Sequence, residues 1–77
     1  MFTIEHEFDA TVITLVDDGK SPLQEDVVVH ATESAILLHQ YNPRLDKTVS
    51  ITLSPEQWRD LNAALNLPEG VYQASRK

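Results

Sequence analysis

Three histidines among twelve carboxylates are the residues of this chain whose types suggest chemistry most directly. The tripeptide Glu5-His6-Glu7 combines imidazole and carboxylate groups that can bind a metal. On a strand this spacing is unsuitable for a metal site, because neighbouring side chains point to opposite faces and cannot coordinate the same ion. His30 and His39 fall on the two arms of a predicted hairpin, in a register that the sequence leaves open. We expect three structural or surface histidines, and the alternative is a metal or ligand shared by two of them.

The chain lacks the residue arrangements that usually support covalent catalysis. The chain has no cysteine, and none of its serines is flanked by glycine as at a strained nucleophile turn. Two glycines are too few for loops that cradle phosphate groups. The carboxylates of Asp17, Asp18, Glu25 and Asp26 could form a pair, but acids are favoured in such turn sequences for solvation alone. The sequence therefore predicts a protein without catalytic residues, metal or cofactor.

The net charge of −6 is concentrated in the first part of the chain. Residues 1–43 contain eight acids and one base, whereas residues 44–77 contain four acids and five bases. An acidic strand face formed by Glu5, Glu7 and Asp9 could steer a basic partner protein, with Tyr41 as a semi-exposed contact at a strand end. The alternative is that these acids only keep an exposed strand from pairing with other chains.

Length and composition limit the chain to one domain. Its 77 residues are 42% hydrophobic, which is typical of a folded protein, and a domain of this size buries only about 60% of the surface of its unfolded chain. We expect a single globular domain over residues 1–72 and a flexible tail over residues 73–77. Without a signal sequence, a membrane-spanning run or a cysteine, the predicted location is the cytoplasm, away from membranes.

The predicted fold is α+β, a curved antiparallel meander of four or five strands with one C-terminal helix packed on one face. Residues 2–17 contain no glycine or proline, and we prefer one long strand bent at Asp9-Ala10 over two strands meeting there. Residues 27–41 predict a hairpin around a polar loop at residues 32–34. Alternation over residues 48–53 predicts the last strand.

The helix has the clearest local signal. Ser54-Pro55-Glu56-Gln57 combines an N-cap serine, a proline at the first helical position and a glutamine at N3, which is a capping box. Leu67-Pro68 ends the helix, and Val71-Tyr72 is expected to dock back on the sheet. The predicted core contains the apolar residues of the helix and of the alternating strands: Phe2, Ile4, Phe8, Val12, Val49, Ile51, Leu53, Trp58, Leu61 and Leu65.

The strand and helix over residues 48–65, above all Val49 to Trp58, resemble a segment of the single-stranded-DNA-binding transcriptional coactivators of the positive-cofactor-four type. Those proteins have a four-stranded curved sheet followed by a long helix, through which they dimerise. Their strands bind nucleic acid through basic and aromatic residues, whereas the strands predicted here contain acidic residues. The resemblance therefore supports the order of the elements more than the binding of nucleic acid.

The sequence favours a small non-catalytic module that binds another, unidentified protein and forms a homodimer. The hairpin over residues 27–41 is apolar on both faces, and one helix cannot cover both, so a second copy would bury the surplus. One alternative is a single-stranded nucleic-acid-binding protein that uses Arg44, Lys47 and the hydroxyls of residues 48, 50 and 52, although the net charge disfavours such a partner. Another is an acidic decoy that occupies a nucleic-acid-binding protein.

Overall fold

A computed structural model of the chain describes residues 1–67, which form a five-stranded antiparallel sheet followed by one helix. The order of the strands in the sheet is their order in the chain. This confirms the predicted α+β meander and sets the number of strands at five. The predicted docking of Val71-Tyr72, the domain end at residue 72 and the tail over residues 73–77 lie outside the described residues. The elements are β1 (Phe2–His6), β2 (Thr11–Leu15), β3 (Val27–Ala31), β4 (Ile36–Asn42), β5 (Lys47–Leu53) and α1 (Pro55–Leu65).

The preference for one long bent strand at the start of the chain was wrong, because β1 and β2 are separate strands of a hairpin. Their register pairs Phe2 with Leu15 and His6 with Thr11. The backbone N–H of Glu7 donates to the carbonyl of Ala10 over 2.8 Å and closes the turn. Neither glycine nor proline marks this reversal. The residues that share one face of the sheet are even-numbered on β1 and odd-numbered on β2, a change of parity that a regular continuous strand does not show.

The other two hairpins are closed by polar side chains that substitute for backbone partners. The Thr32 hydroxyl accepts from the N–H of Ser34 and from that of Ala35, which confirms the predicted polar loop. In the β4–β5 turn, the Asn42 side-chain oxygen accepts from the N–H of Arg44 over 2.9 Å. Asp46 closes this turn with φ of 52°, a left-handed conformation that aspartate tolerates better than most residues.

The capping box at the start of α1 forms as predicted. Ser54 Oγ accepts from the backbone N–H of Gln57, and the Gln57 side chain accepts in return from the N–H of Ser54, both over 3.0 Å. The helix makes its main contacts with β5, and none of its residues is buried. Within residues 1–67, no helix has the length and apolar character needed to cross a membrane.

The predicted core is wrong in its extent. Of the residues expected to be buried, Val12, Leu53, Trp58 and Leu65 are half-buried, and the others are exposed. Phe8 is fully exposed because it occupies the tip of the β1–β2 turn instead of a strand. Alternation correctly marked which positions share a face within β1 and within β5, but it placed Val12 with Ile4, whereas Val12 is paired with Glu5 on the opposite face. Alternation also does not show whether anything covers a face. In the described part of the chain, the buried hydrophobic residues are Ala10, Val29 and Ile36.

Candidate interaction surface

The registers of the four strand pairs divide the sheet into two unlike faces. Residues directly opposite each other share a face, and successive residues of a strand alternate between faces. One face, here called the apolar face, carries three adjacent rows of side chains that cross all five strands. The rows are Phe2-Leu15-Val27-Gln40-Val49, Ile4-Ile13-Val29-Leu38-Ile51 and His6-Thr11-Ala31-Ile36-Leu53.

The middle row of the apolar face is aliphatic from one edge of the sheet to the other. At its centre Val29 is only 2% exposed, whereas Ile51 on β5 is 60% exposed. The opposite flank is also open, since Phe2 on β1 is 65% exposed and its neighbours Ile4 and Leu15 are classed as exposed. The apolar face therefore presents its hydrophobic flanks to solvent in a single chain.

One end of the apolar face is bordered by the long connection between β2 and β3. The Asp17 carboxylate accepts from the backbone N–H of Gln24 over 2.8 Å and from that of Gly19 over 3.1 Å. These two bonds, the Gln24 bond first, lower the pKa of Asp17 below its ordinary value of 3.8. Farther along the connection, Gln40 Nε2 donates to the Glu25 carbonyl over 3.0 Å, which ties the segment to β4.

The other face, here called the polar face, mixes residue types within each row. Its rows are Thr3-Thr14-Val28-His39-Ser50 and Glu5-Val12-His30-Leu37-Thr52, with Tyr41 opposite Thr48 at the end. Its larger apolar side chains, those of Val12, Val28 and Leu37, lie opposite glutamate, histidine or threonine on the neighbouring strands. They therefore form no continuous apolar strip. The apolar surplus predicted for both faces of the middle hairpin is concentrated on one of them.

The histidines divide between the faces. His6 is exposed on the apolar face, with Nδ1 3.3 Å from Thr11 Oγ1. His30 and His39 are half-buried on the polar face, on adjacent strands and in adjacent rows. Among residues 1–67 no group of three or more histidine and carboxylate side chains is placed to hold a metal ion.

The sequence did not reveal that His39 meets a serine. Its Nδ1 lies 2.6 Å from Ser50 Oγ, because the two residues are direct partners across β4 and β5. A serine nucleophile also needs an acid that orients the histidine. Within the described residues, no carboxylate is hydrogen-bonded to the His39 ring. The pair forms a hydrogen bond between direct cross-strand partners, which only knowledge of the register could have predicted.

The residues predicted to bind a partner occupy two separate places. Glu5 lies on the polar face of β1, and Glu7 and Asp9 flank Phe8 in the turn that follows. Glu33, in the β3–β4 loop, lines the same surface depression as Phe8 and Asp9, so the acids gather at this end of the sheet. Tyr41 is three strands away from β1, on the order of 14 Å across the sheet.

Tyr41 is engaged within the β4–β5 hairpin. Its hydroxyl donates to the Asp46 carboxylate over 2.6 Å, and this bond is the main reason that the pKa of Tyr41 is raised above 10.0. Arg44 and Lys47, the basic residues of the nucleic-acid alternative, are both exposed in and next to the same turn. Lys47, however, is in register with the apolar face, whereas Thr48, Ser50 and Thr52 are on the polar face. The structure thus separates this lysine from the hydroxyl row.

A sheet with one continuous apolar face, one mixed face and a capped helix defines the class as a small α+β meander protein. The chain belongs to the family described as a domain of unknown function (DUF8831), whose family model matches residues 3–64. The match includes β2 to β5 in full, β1 except Phe2, and α1 except Leu65. Comparisons with the curated proteins and with the solved structures gave no match.

Proposed function

We propose that this protein is a small non-catalytic module that acts by binding protein, and that it works as a homodimer. The observation that carries the proposal is the apolar face, whose flanking side chains are exposed in the single chain although they belong to mainly apolar rows that cross all five strands. Stable domains bury such a face against a second layer. Within residues 1–67 the helix does not supply that layer, because it lies mainly against β5 and has no buried residue.

Hydrophobic burial supplies the driving force for this association. Removing apolar surface from water stabilises a complex by about 25 cal/mol for each Å² buried. Burial of the exposed phenylalanine and of the exposed aliphatic residues of this face would therefore stabilise a dimer. Exposed apolar patches of this kind are typical of protein interaction sites. The cytoplasm is the location that we propose, since a chain without cysteine forms no disulfides and needs no oxidising compartment.

Sedimentation equilibrium of the purified chain at micromolar concentration tests the homodimer. We expect a mass of twice the 8.7 kDa of one chain, with dissociation on dilution. A single species of 8.7 kDa throughout the concentration range would contradict the proposal.

A second, heterologous contact is proposed for the acidic end of the sheet. Glu7 and Asp9 line the same surface depression as Glu33, Glu5 lies two residues before Glu7 on β1, and the fully exposed Phe8 is flanked by Glu7 and Asp9. A basic protein partner with an apolar pocket would complement this arrangement through long-range attraction and one aromatic anchor. Simultaneous reversal of the three charges to lysine should reduce capture of such a partner and leave the circular dichroism spectrum unchanged. Retention of the partner by the reversed variant would exclude this contact.

A further inference from the structure

We infer that the apolar face is covered by the apolar face of a second copy of the same chain, so that two five-stranded sheets pack face to face. This arrangement rests on the homodimer proposed above and assigns its interface. It makes each sheet one layer of a sandwich, with the two polar faces outside. Sheets that pack in this way lie about 10 Å apart and interdigitate the side chains of their inner faces.

The exposed apolar area is of the size that a stable dimer requires. Five large side chains of the apolar face are classed as exposed, two on β5 and three on β1 and β2: Phe2, Ile4, Leu15, Val49 and Ile51. From their exposed fractions and ordinary side-chain areas, they present on the order of 500 Å² of apolar surface per chain. A standard interface buries about 800 Å² per partner, and homodimer interfaces are about 65% apolar, which is also about 500 Å².

The charges of the chain are compatible with this packing. Although the chain carries a net charge of −6, no residue on the apolar face of the five described strands is a carboxylate. The only acid within these strands, Glu5, is on the polar face, and the other acids of residues 1–53 are in turns and connections. The strand rows of two apolar faces can therefore meet without burying an unpaired negative charge. The charged residue in register with them, Lys47, is exposed at the end of β5.

Pairing of two copies through the edges of their sheets would leave the apolar faces exposed to solvent. β1 and β5 are the edge strands, and either could in principle extend the sheet into a second copy. A continuous sheet of ten strands would still expose the apolar face of each copy, so the unfavourable hydration of Phe2 and Ile51 would remain. Face-to-face packing removes it in both chains at once.

The test compares two adjacent residues that point to opposite faces. Ile51→Glu places a carboxylate in the proposed interface, and a two-fold dimer contains the change twice. Because Ile51 is 60% exposed in the single chain, the substitution should leave the fold of the monomer intact. We expect the dissociation constant from sedimentation equilibrium to rise at least about 100-fold. Thr52→Glu, which adds the same charge to the polar face of the same strand, should leave it within about 3-fold.

Cysteine labelling gives a second measurement that does not depend on disrupting the interface. The chain contains no natural cysteine, so Ile51→Cys and Thr52→Cys each introduce one reporter thiol. At concentrations where the protein is dimeric, maleimide should modify the thiol at position 51 at least about 10-fold more slowly than the thiol at position 52. Dilution to the monomer should abolish the difference.

The possible outcomes separate the interface from the dimer itself. If the wild-type chain is a dimer but Ile51→Glu leaves it associated and the thiol of the Ile51→Cys variant reacts freely, the face-to-face arrangement is wrong and the homodimer stands. A wild-type monomer contradicts both. A monomer in which the thiol at position 51 is protected, and in which deletion of residues 68–77 restores its reactivity, would assign the cover to the chain's own C-terminal segment instead.

Discussion

The two faces of the sheet differ more in arrangement than in the presence of apolar residues. On the apolar face, aliphatic side chains follow one another across all five strands, as in the row from Ile4 to Ile51. On the polar face, Val12, Val28 and Leu37 are present but lie opposite glutamate, histidine or threonine. The comparison shows that apolar side chains form an extended hydrophobic surface when they are adjacent across strands. Their number alone does not produce such a surface.

The largest expected difference between the faces is in stability. Val29→Ala, at the centre of the apolar face, should lower the free energy of unfolding by about 2 kcal/mol, because Val29 is buried and leaves a cavity. Val28→Ala, one residue earlier on the polar face, should cost about 1 kcal/mol, since Val28 is half-buried. Urea denaturation at one fixed protein concentration measures both. Equal losses would mean that the two faces contribute alike.

The helix offers a test of a region that belongs to neither face. Ser54→Ala removes the acceptor for the Gln57 N–H and should cost about 1 kcal/mol. Since no residue of α1 is buried, we expect the helix to unfold before the sheet. Helical circular dichroism and the fluorescence of Trp58, which is in α1, would report the first transition, and the strand signal would report the second. Coincident transitions would show instead that the helix stabilises the sheet directly.

The connection that borders the apolar face should respond to acid. The pKa of Asp17 is lowered by its bonds from Gln24 and Gly19, so its contribution to stability is present above pH 3.8 and is lost as the pH falls through the lower folded value. Asp17→Asn should therefore be less stable than the wild type at neutral pH, with a difference that shrinks in acid. Asp26→Asn, whose side chain accepts neither bond, serves as the control in the same pH series.

The smallest expected effect is on the polar face, at the Tyr41 hydroxyl. The bond to Asp46 raises the pKa of Tyr41, so its stabilisation is present below pH 10.0 and is lost as the pH rises through the raised value. Asp46→Asn, which tolerates the left-handed backbone, should bring the pKa of Tyr41 back toward 10.0. Ultraviolet titration of tyrosinate measures this in a Tyr72→Phe background, which leaves one tyrosine. An unchanged titration would show that Asp46 is not the cause.

Much of the architecture could be predicted because local chemistry determines it. The capping box at Ser54 and Gln57 and the polar loop at Thr32 depend on residues close together in the chain, and both form as expected. The β1–β2 turn was missed because Phe8-Asp9 contains no glycine or proline, and its neighbours on both sides have strand-forming character. A reversal of this kind is visible only when the register of the strands is known.

The candidate surface was predicted less well, for a different reason. The hairpin over residues 27–41 predicts excess apolar surface on the middle strands, whereas the exposed side chains of the apolar face are on the flanking strands β1, β2 and β5. Two of them, Phe2 and Ile51, were expected in the core. Periodicity indicates that two side chains point the same way, and it contains no information about a covering layer. The His39–Ser50 contact likewise depends on a cross-strand register that alternation alone does not provide.

The strict neighbour order of the strands has a consequence for how the chain folds. Each strand pairs only with the strands before and after it in sequence, so no pairing has to close a loop longer than the connection between β2 and β3. Such low contact order favours rapid folding, one hairpin at a time. If a second copy supplies the missing layer, this quick local step precedes a bimolecular one. The rate of the association phase should then depend on protein concentration, although every strand finds its neighbour within its own chain.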